Sequence, residues 1–587
     1  MGIQTKRLSL AIAGVVMFAM AGCGGGSGSG SAASATPSLS ITGTAATGAS
    51  ISGGPVSVKC ASGTGSGTTN ADGSYSVTVT NGTFPCLAKV TAADGTVLNS
   101  VVAGTGGTSA VANITPVTQL IVASLAGGDP AAYFAAFDAT AAGAVTTAKV
   151  AAAQTEVVAQ LKSAGVDFSA LGDLITGTLK PASSGIAGNA YDLALDALKS
   201  ALTTSGLTLA DLTSNVVAVS PNVPPAVAGG AAIDPAGVPS LPADLLLKAK
   251  ASTCAALRST TYRIVVPKAA TALANQLDSA TINAATLTGT NGDGSTFTLV
   301  PVANSPCRFT SNGGKDELVV SQAGIIVARA NDSGATYRPA FGLPVQTHTL
   351  AELAGTWNTL GTQTTGVAGV YTAAANTATL DNAGTITGQS LGCFNNTTWN
   401  MSGADCSLQT PSSKFAANAD GGFDVLNAAT GALNGRMFAF RAGGGELMAL
   451  VVGNAGNFTL FTKQRTLSLP AVGRVTTHVG PAIGQALTID GAFGAGNQQT
   501  ILSQDAVAGS FVRTAKTIGG TNDRPETLTQ NSPRNGYSLR TAASAVPAID
   551  NTTVNVLEFT ALSLRGMGMT PVVFPAAKIL VLSVDLP

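Results

Sequence analysis

The stretch Tyr75-Ser76-Val77-Thr78-Val79 alternates large or β-branched side chains with small polar ones. Because successive side chains of a strand point to opposite faces, this period of two predicts a half-buried β-strand. The runs Ser57-Val58-Lys59-Cys60 and Leu87-Ala88-Lys89-Val90 have a similar character, and Asp72-Gly73 supplies a hairpin turn. Residues 39–115 are therefore expected to form an all-β sandwich.

Residues around this stretch resemble the carboxypeptidase regulatory-like, transthyretin-like module. The residues that carry the resemblance are Gly43, Gly53-Gly54-Pro55-Val56-Ser57-Val58 and Thr68-Thr69-Asn70-Ala71-Asp72-Gly73-Ser74-Tyr75. In that family a Gly-rich lead strand is followed by a strand and then by a Thr-x-x-x-Gly-x-Tyr turn whose Tyr packs inward. The resemblance implies a prealbumin-like β-sandwich without catalytic activity, which serves as a spacer or as an appendage that binds carbohydrate or protein.

The hydrophobic period becomes helical over residues 116–218. Asp129-Pro130 reads as an N-cap followed by proline at the first helical position. Val150, Val157 and Leu161 then fall on one helix face, which predicts packing against a core. Residues 219–244 are rich in proline and are predicted to be an extended linker. The expected fold class is mainly β with a helical insert.

Residues 245–587 contain many short strand-like runs, such as Thr296-Phe297-Thr298-Leu299-Val300 and Phe458-Thr459-Leu460-Phe461. Short strands separated by turn residues predict a large β-barrel or β-sandwich region. Within it, Leu257-Arg258-Ser259-Thr260-Thr261-Tyr262 is echoed by Leu353-Ala354-Gly355-Thr356-Trp357. The echo suggests two related barrel-like halves.

Gly355-Thr356-Trp357 is similar to the Gly-x-Trp signature that opens lipocalin-type barrels. In that family a late Arg packs across the Trp, a role that Arg441 or Arg465 could fill by a cation–π contact. The resemblance implies a barrel closed around a small apolar ligand, with Trp357 and Arg441 as candidate binding residues. A β-domain filled by its own side chains is the competing interpretation. Trp399 is a candidate platform for stacking a glycan.

The N-terminus has the layout of an export signal. Lys6-Arg7 precede an apolar run from Leu8 to Met20, and Ala21-Gly22-Cys23 follow. The sequence resembles a bacterial lipoprotein precursor. The resemblance implies removal of residues 1–22, attachment of diacylglycerol and an acyl chain such as palmitate to Cys23, and anchoring in the outer membrane, facing the periplasm or the cell surface. An ordinary secretory signal with a chance cysteine is the alternative.

Composition fits an exported protein. Residues 23–38 are almost entirely Gly, Ser, Ala and Thr, which predicts a flexible tether. Charged residues make up 10% of the 587 residues, against about 25% in typical proteins. The net charge is zero and no basic stripe is present, which argues against nucleic acid as a partner.

Six cysteines remain once Cys23 is assigned to the lipid, an even number that suits disulfides in an oxidising compartment. Six cysteines allow fifteen pairings. Since they fall as neighbours in three segments, the expected pairs are Cys60–Cys86, Cys254–Cys307 and Cys393–Cys406. A metal site is the alternative, but the chain has two histidines and no C-x-x-C spacing. We expect neither metal nor cofactor.

One pattern matches a catalytic motif. Gly388-Gln389-Ser390-Leu391-Gly392 has the Gly-x-Ser-x-Gly form of a nucleophile elbow, and His478 with Asp405, Asp420 or Asp424 would complete a triad in the order Ser, Asp, His. The elbow requires a helix after the serine, whereas Cys393-Phe394-Asn395 is no helix start. The sequence therefore favours a noncatalytic reading.

These observations together predict a lipid-anchored cell-envelope protein that acts as a binding or scaffolding module. Its partners would be the membrane, through the N-terminal lipid, and an envelope protein, a glycan or a small apolar ligand. Two alternatives stay open: a carrier of a small hydrophobic ligand or lipid in the C-terminal region, and an envelope serine hydrolase that uses Ser390 and His478.

Overall fold

A computed structural model describes residues 38–104, 106–183, 185–219, 238–268, 272–393, 399, 406–494, 496–518, 523–541, 543–547 and 553–586. The chain is mainly β, with a helical segment between an N-terminal pair of sheets and a large C-terminal β-region. The predicted fold class is confirmed. Within the described residues, no helix combines the length and the apolar character needed to cross a bilayer.

Two small sheets share one core at the N-terminal end, in the orders β4-β1-β7 and β3-β2-β5-β6. Tyr75, Val77 and Val79 are buried, whereas Thr78 is exposed, as their alternation predicts. Tyr75 Oη donates a hydrogen bond to the carbonyl of Ala112 at 2.5 Å. The strands are β1 (Ser38–Thr44), β2 (Pro55–Ser62), β3 (Thr64–Thr68), β4 (Ser74–Thr80), β5 (Thr83–Thr91), β6 (Val97–Val102) and β7 (Ser109–Val111).

Helices follow the sandwich and pack their apolar faces inward. Asp129 caps α2 by accepting a hydrogen bond from the amide of Ala131 at 3.0 Å, and Pro130 opens the helix. Leu161 and Leu195 belong to a core that continues into the C-terminal region through Tyr262. The helices are α1 (Pro116–Ala126), α2 (Pro130–Ala136), α3 (Ala139–Gly143), α4 (Thr147–Ser163), α5 (Ala190–Ser205) and α6 (Leu209–Val219).

The first large sheet of the C-terminal region, called here the first sheet, has the order β13-β12-β11-β10-β18-β17-β16-β15-β14. A short ribbon of β8 (Lys250–Ala251) and β9 (Cys254–Arg258) precedes it. Its strands are β10 (Thr260–Val265), β11 (Leu277–Asn283), β12 (Thr288–Asn291), β13 (Thr296–Thr298), β14 (Val300–Pro301), β15 (Arg308–Ser311), β16 (Asp316–Val320), β17 (Ile326–Ser333) and β18 (Thr336–Pro344).

The second large sheet, called here the second sheet, has the order β22-β21-β20-β19-β27-β26-β25-β24-β23 and follows the short helix α7 (Leu350–Leu353). Its strands are β19 (Gly355–Thr364), β20 (Tyr371–Leu380), β21 (Ile386–Cys393), β22 (Cys406–Gln409), β23 (Ser413–Ala417), β24 (Phe423–Asn427), β25 (Leu433–Arg441), β26 (Leu447–Gly453) and β27 (Phe458–Lys463).

The first and second sheets repeat one architecture. Counted along the chain, the strand order is 4-3-2-1-9-8-7-6-5 in both. The register also matches, because Tyr262 faces Ala280 in the first sheet as Trp357 faces Ala378 in the second. Each aromatic side chain donates a hydrogen bond to the carbonyl four residues earlier, at 3.2 Å for Tyr262 and 2.6 Å for Trp357. The sequence echo therefore marks corresponding strands.

The third large sheet closes on itself as a barrel, called here the C-terminal barrel. Neighbouring strands pair antiparallel in the order β28-β30-β31-β32-β33-β36-β37-β38, and β28 pairs with β38 to complete the ring. Its strands and the short strands beside it are β28 (Val475–Val479), β29 (Ala482–Ile483), β30 (Asn497–Asp505), β31 (Ser510–Thr517), β32 (Asp523–Gln530), β33 (Tyr537–Arg540), β34 (Ala543–Pro547), β35 (Thr553–Val556), β36 (Phe559–Leu562), β37 (Met569–Phe574) and β38 (Ile579–Leu586).

Candidate functional site: a cavity in the first sheet

The curled first sheet encloses a cavity of about 1790 Å³. The sheet curls round so that its two edge strands, β13 and β14, follow each other along the chain with only Leu299 between them. The amide of Leu299 donates a hydrogen bond to the carbonyl of Leu287 at 2.8 Å. Inward-facing side chains of the strands line the wall. Most of them are apolar or small, and they include Ile264, Val266, Phe297, Leu318, Ala328 and Ala340. A concave wall that is largely apolar is typical of a ligand site.

The wall has a glycine at the position where the second sheet has a phenylalanine. Gly342 on β18 pairs with Ile264 and Ile326, whereas the corresponding residue of the second sheet is Phe461, which pairs with Thr359 and Ala449. A Cβ atom at Gly342 would lie 3.0 Å from the Cβ of Ile326. Ile326 and Ile264 therefore crowd the position beside Gly342, and the first sheet carries no ring where a phenylalanine contributes to the core of the second.

The rim of the cavity is polar and carries little charge. Its hydroxyl groups come mainly from threonines, among them Thr260, Thr261, Thr288, Thr296, Thr298 and Thr310. Lys248 and Asp316 are the ionisable residues that line the described cavity. Asp316 is engaged within the protein, because its Oδ1 accepts a hydrogen bond from the amide of Asn331 at 2.7 Å and its Oδ2 accepts one from the hydroxyl of Ser311 at 3.2 Å.

The inner face of the second sheet is filled by its own side chains around Trp357. This residue is 2% exposed, and its ring lies edge-on to that of Phe461 with 6.4 Å between centroids. Phe415, Phe423 and Met437 complete the same cluster. Trp357, which the lipocalin resemblance suggested as a ligand contact, is therefore a core residue of the second sheet.

The cation beside Trp357 is a lysine and not the predicted arginine. The Nζ of Lys463 lies 4.3 Å from the ring centroid and donates a hydrogen bond to the carbonyl of Leu353 at 2.7 Å. Burial, together with the like charge of Arg441, lowers the pKa of Lys463 to about 8. Arg441 instead pairs with Glu352 at 3.0 Å, and Arg465 pairs with Glu446.

Trp399 does not offer a platform for a glycan. Its side chain is 1% exposed and packs in the core that the first two sheets share with the C-terminal barrel. Stacking a sugar requires an exposed ring face, so this part of the sequence prediction is wrong.

The predicted hydrolase residues have partners other than each other. Ser390 lies within the strand β21, not at a strand-to-helix turn, and its hydroxyl donates to the carbonyl of Gln409 at 3.3 Å. His478 lies on β28 of the C-terminal barrel, with its Nδ1 at 2.6 Å from Asp585 and its Nε2 at 2.8 Å from the hydroxyl of Thr476. The geometry thus supplies neither the elbow nor the serine–histidine contact that the mechanism needs.

The structure contains three disulfides within its described residues: Cys60–Cys86, Cys254–Cys307 and Cys393–Cys406. These are the pairs expected from the sequence. Two of them join residues that face each other on neighbouring strands, β2 with β5 and β21 with β22. Cys23 and the tether after it lie outside the described residues.

The C-terminal barrel holds a buried ionic network that the sequence did not reveal. Glu526 is 3% exposed and accepts a hydrogen bond from Arg513 at 3.1 Å, and it also pairs with Arg540. The guanidinium of Arg540 stacks on Phe559 at 4.3 Å from the ring centroid. The network borders a cavity of about 380 Å³. These residues are far apart along the chain or on different strands, and the pairing of β31 with β32 places Arg513 opposite Glu526.

The residues of the candidate cavity were not predicted either. Gly342 and Lys248 carry no motif, and the one signal that could have pointed to them is the sequence echo between the first two sheets. Aligning the whole repeat would have set Gly342 against Phe461.

Comparisons with known proteins leave the family of this chain open. No protein-family model matches it, and no curated protein matches it significantly. A protein of unknown function of the DUF3598 family from Nostoc punctiforme is 12% identical, over 41% of this chain and 98% of that one, with a TM-score of 0.14. A double mutant of the vaccine antigen transferrin binding protein B from Haemophilus parasuis is 9% identical, over 56% of this chain and 75% of that one, also with a TM-score of 0.14. At such TM-scores neither likeness bears on function.

Proposed function

We propose that this chain is a lipid-anchored envelope protein that binds an apolar ligand in the cavity of the first sheet. The observation that carries the proposal is the hollow inner face of the first sheet, where the repeated second sheet is filled. The two sheets share one strand order, but the inner face of the first sheet has fewer packing contacts than that of the second. A ligand would restore that packing.

The energetics favour a ligand with a long or bulky apolar part. Each methylene transferred from water to an apolar wall contributes about 0.8 kcal/mol, so a chain of about twelve carbons offers roughly 9 kcal/mol before the cost of association. Small-molecule sites commonly measure about 300–1,000 Å³. The cavity of about 1790 Å³ exceeds that range and accepts such a chain without rearrangement.

The envelope address rests on the lipoprotein-like N-terminus that ends at Cys23 and on the pairing of the six other cysteines. Disulfides persist in oxidising compartments such as the bacterial periplasm and the cell surface. Metabolic labelling with palmitate tests the anchor. We expect label in the wild-type chain and none in Cys23→Ala, with Cys60→Ala as the matched control that keeps its label. Label retained by Cys23→Ala would contradict the assignment.

Binding is tested by copying the wall of the second sheet into the first. The double variant Gly342→Phe with Ile326→Ala reproduces the pair formed by Phe461 and Ala449. Native mass spectrometry of chain extracted from the envelope should show a bound apolar molecule in the wild type and none in the double variant. Leu433→Phe adds an aromatic ring at a partly exposed site of the second sheet and is the control that should keep the ligand.

Three outcomes decide the matter. Loss of the ligand from a double variant with wild-type circular dichroism supports the proposal. Equal occupancy in the wild type and the double variant would place the ligand elsewhere. A wild-type chain that carries no ligand and binds no neutral apolar dye such as Nile red would refute ligand binding altogether.

A further inference from the structure

The two ionisable residues that line the described cavity lie beside different strands of its wall. Lys248 precedes Ala249, whose carbonyl accepts a hydrogen bond from the amide of Ser259 at 2.8 Å, so the lysine sits beside the start of β10. Asp316 begins β16, where it pairs with Ser311 at the end of β15. Three successive pairings, β10 with β18, β18 with β17 and β17 with β16, separate the strand next to Lys248 from the strand that Asp316 begins.

The charge at the lysine end is available to a ligand. Among the described residues, Lys248 Nζ makes no hydrogen bond or ion pair, and the side chain is exposed. Burial raises the pKa of the nearby Asp244, and the charge of Lys248 opposes that rise. Asp211, the next carboxylate along this face, is engaged by Lys250 at 2.6 Å. Both oxygens of Asp316 accept hydrogen bonds within the protein, and its negative charge disfavours an anion beside it.

Hydroxyl groups surround the same end of the cavity. Thr204 at the end of α5, Ser259 and Thr260 line it together with Lys248. The Ser259 oxygen accepts a hydrogen bond from the amide of Ala284 at 2.8 Å, which leaves its own proton free to donate. One ammonium and several hydroxyl donors are a suitable set for a single carboxylate.

We infer that the cavity takes a long-chain monocarboxylic acid, with its carboxylate at Lys248 and its hydrocarbon chain along the wall toward Phe297 and Ala340. The inference rests on the proposed function and adds the head group and its orientation. A dianion is disfavoured because one ammonium faces the site. A neutral lipid would contact the apolar wall but would form no ion pair with Lys248.

The test uses the whole mature chain, residues 23–587, and displacement of Nile red by dodecanoic acid and by 1-dodecanol. Both ligands carry the same chain, so they differ only at the head group. Lys248→Gln should weaken the binding of dodecanoic acid about three- to fivefold, which is the effect of losing an ion pair worth up to about 1 kcal/mol at a partly exposed site. The affinity for dodecanol should stay unchanged. Lys199→Gln, at an exposed position on α5, is the matched control and should change neither affinity.

Salt gives an independent readout of the head group. In the wild type, raising the ionic strength should weaken the binding of dodecanoic acid and leave the binding of dodecanol unchanged. In Lys248→Gln it should change the affinity for neither ligand. If Lys248→Gln and salt leave the affinity for the acid unchanged while both ligands displace the dye, the head-group assignment is overturned and the proposed function stands. If neither ligand nor the dye binds the wild type, the proposed function fails as well.

Discussion

Phe461→Ala tests whether the second sheet is filled by its own side chains. The substitution removes a half-buried ring whose loss costs about 1.5–3 kcal/mol of burial, and it breaks the edge-on contact with Trp357, worth about 0.5–1.5 kcal/mol. Because the ring is only half buried, we expect a loss of about 2–3 kcal/mol in the free energy of unfolding of the second sheet.

Tryptophan fluorescence in urea measures this loss locally. The chain has two tryptophans, Trp357 and Trp399, and both are buried in or beside the second sheet. The emission change therefore follows this sheet even if the rest of the chain unfolds separately. Leu408→Ala, at an exposed site on β22, is the control and should change stability by less than about 0.5 kcal/mol. A loss below about 1 kcal/mol in Phe461→Ala would refute the claim that this ring distinguishes the two sheets.

Three more predictions follow from contacts described above. The pKa of Lys463 is about 8 in the folded chain and near 10.5 in the unfolded chain, so the unfolded chain binds one more proton between these values. The free energy of unfolding measured by tryptophan fluorescence should therefore rise from pH 8 to 10.5. Lys463→Met should abolish the rise, and a flat wild-type profile would contradict the prediction. Glu526→Gln should destabilise the C-terminal barrel by about 3–5 kcal/mol in hydrogen exchange, because the buried guanidinium of Arg540 and the partly buried one of Arg513 lose their carboxylate. A change under about 1 kcal/mol would mean that water already solvates the network. Replacing both Cys393 and Cys406 by serine should cost about 3 kcal/mol, the chain-entropy value for a separation of 13, and the variant and the wild type should become equally stable once both are fully reduced.

The sequence indicated the fold class because strand and helix signals are local. The alternation at Tyr75–Val79 and the Asp129-Pro130 cap each depend on a few neighbouring residues, and both appear in the structure as expected. The echo at Leu257–Tyr262 was also visible locally. It identified corresponding strands, although not the strand order that makes the two sheets a repeat.

The candidate site depends on pairing between residues distant in the chain, which a single sequence does not encode locally. Gly342 lies between Ile264 and Ile326 only because the two neighbouring strands bring these residues beside it. Lys463 reaches Trp357 across more than a hundred residues, where the family resemblance suggested an arginine. Burial of Trp399 likewise follows from packing by distant strands.

If the chain is exported as proposed, the pairing of β28 with β38 has a consequence for its folding. A chain that crosses a membrane N-terminus first delivers β28 early and β38 after every other strand of the barrel, so β28 waits with an open hydrogen-bonding edge. Such an edge can recruit another strand, and non-local closure of this kind is slow. On the proposed export route, the protein should therefore depend on periplasmic holding chaperones more strongly than its final stability suggests. A chain that loses β38 should be degraded even though the preceding sheets can form.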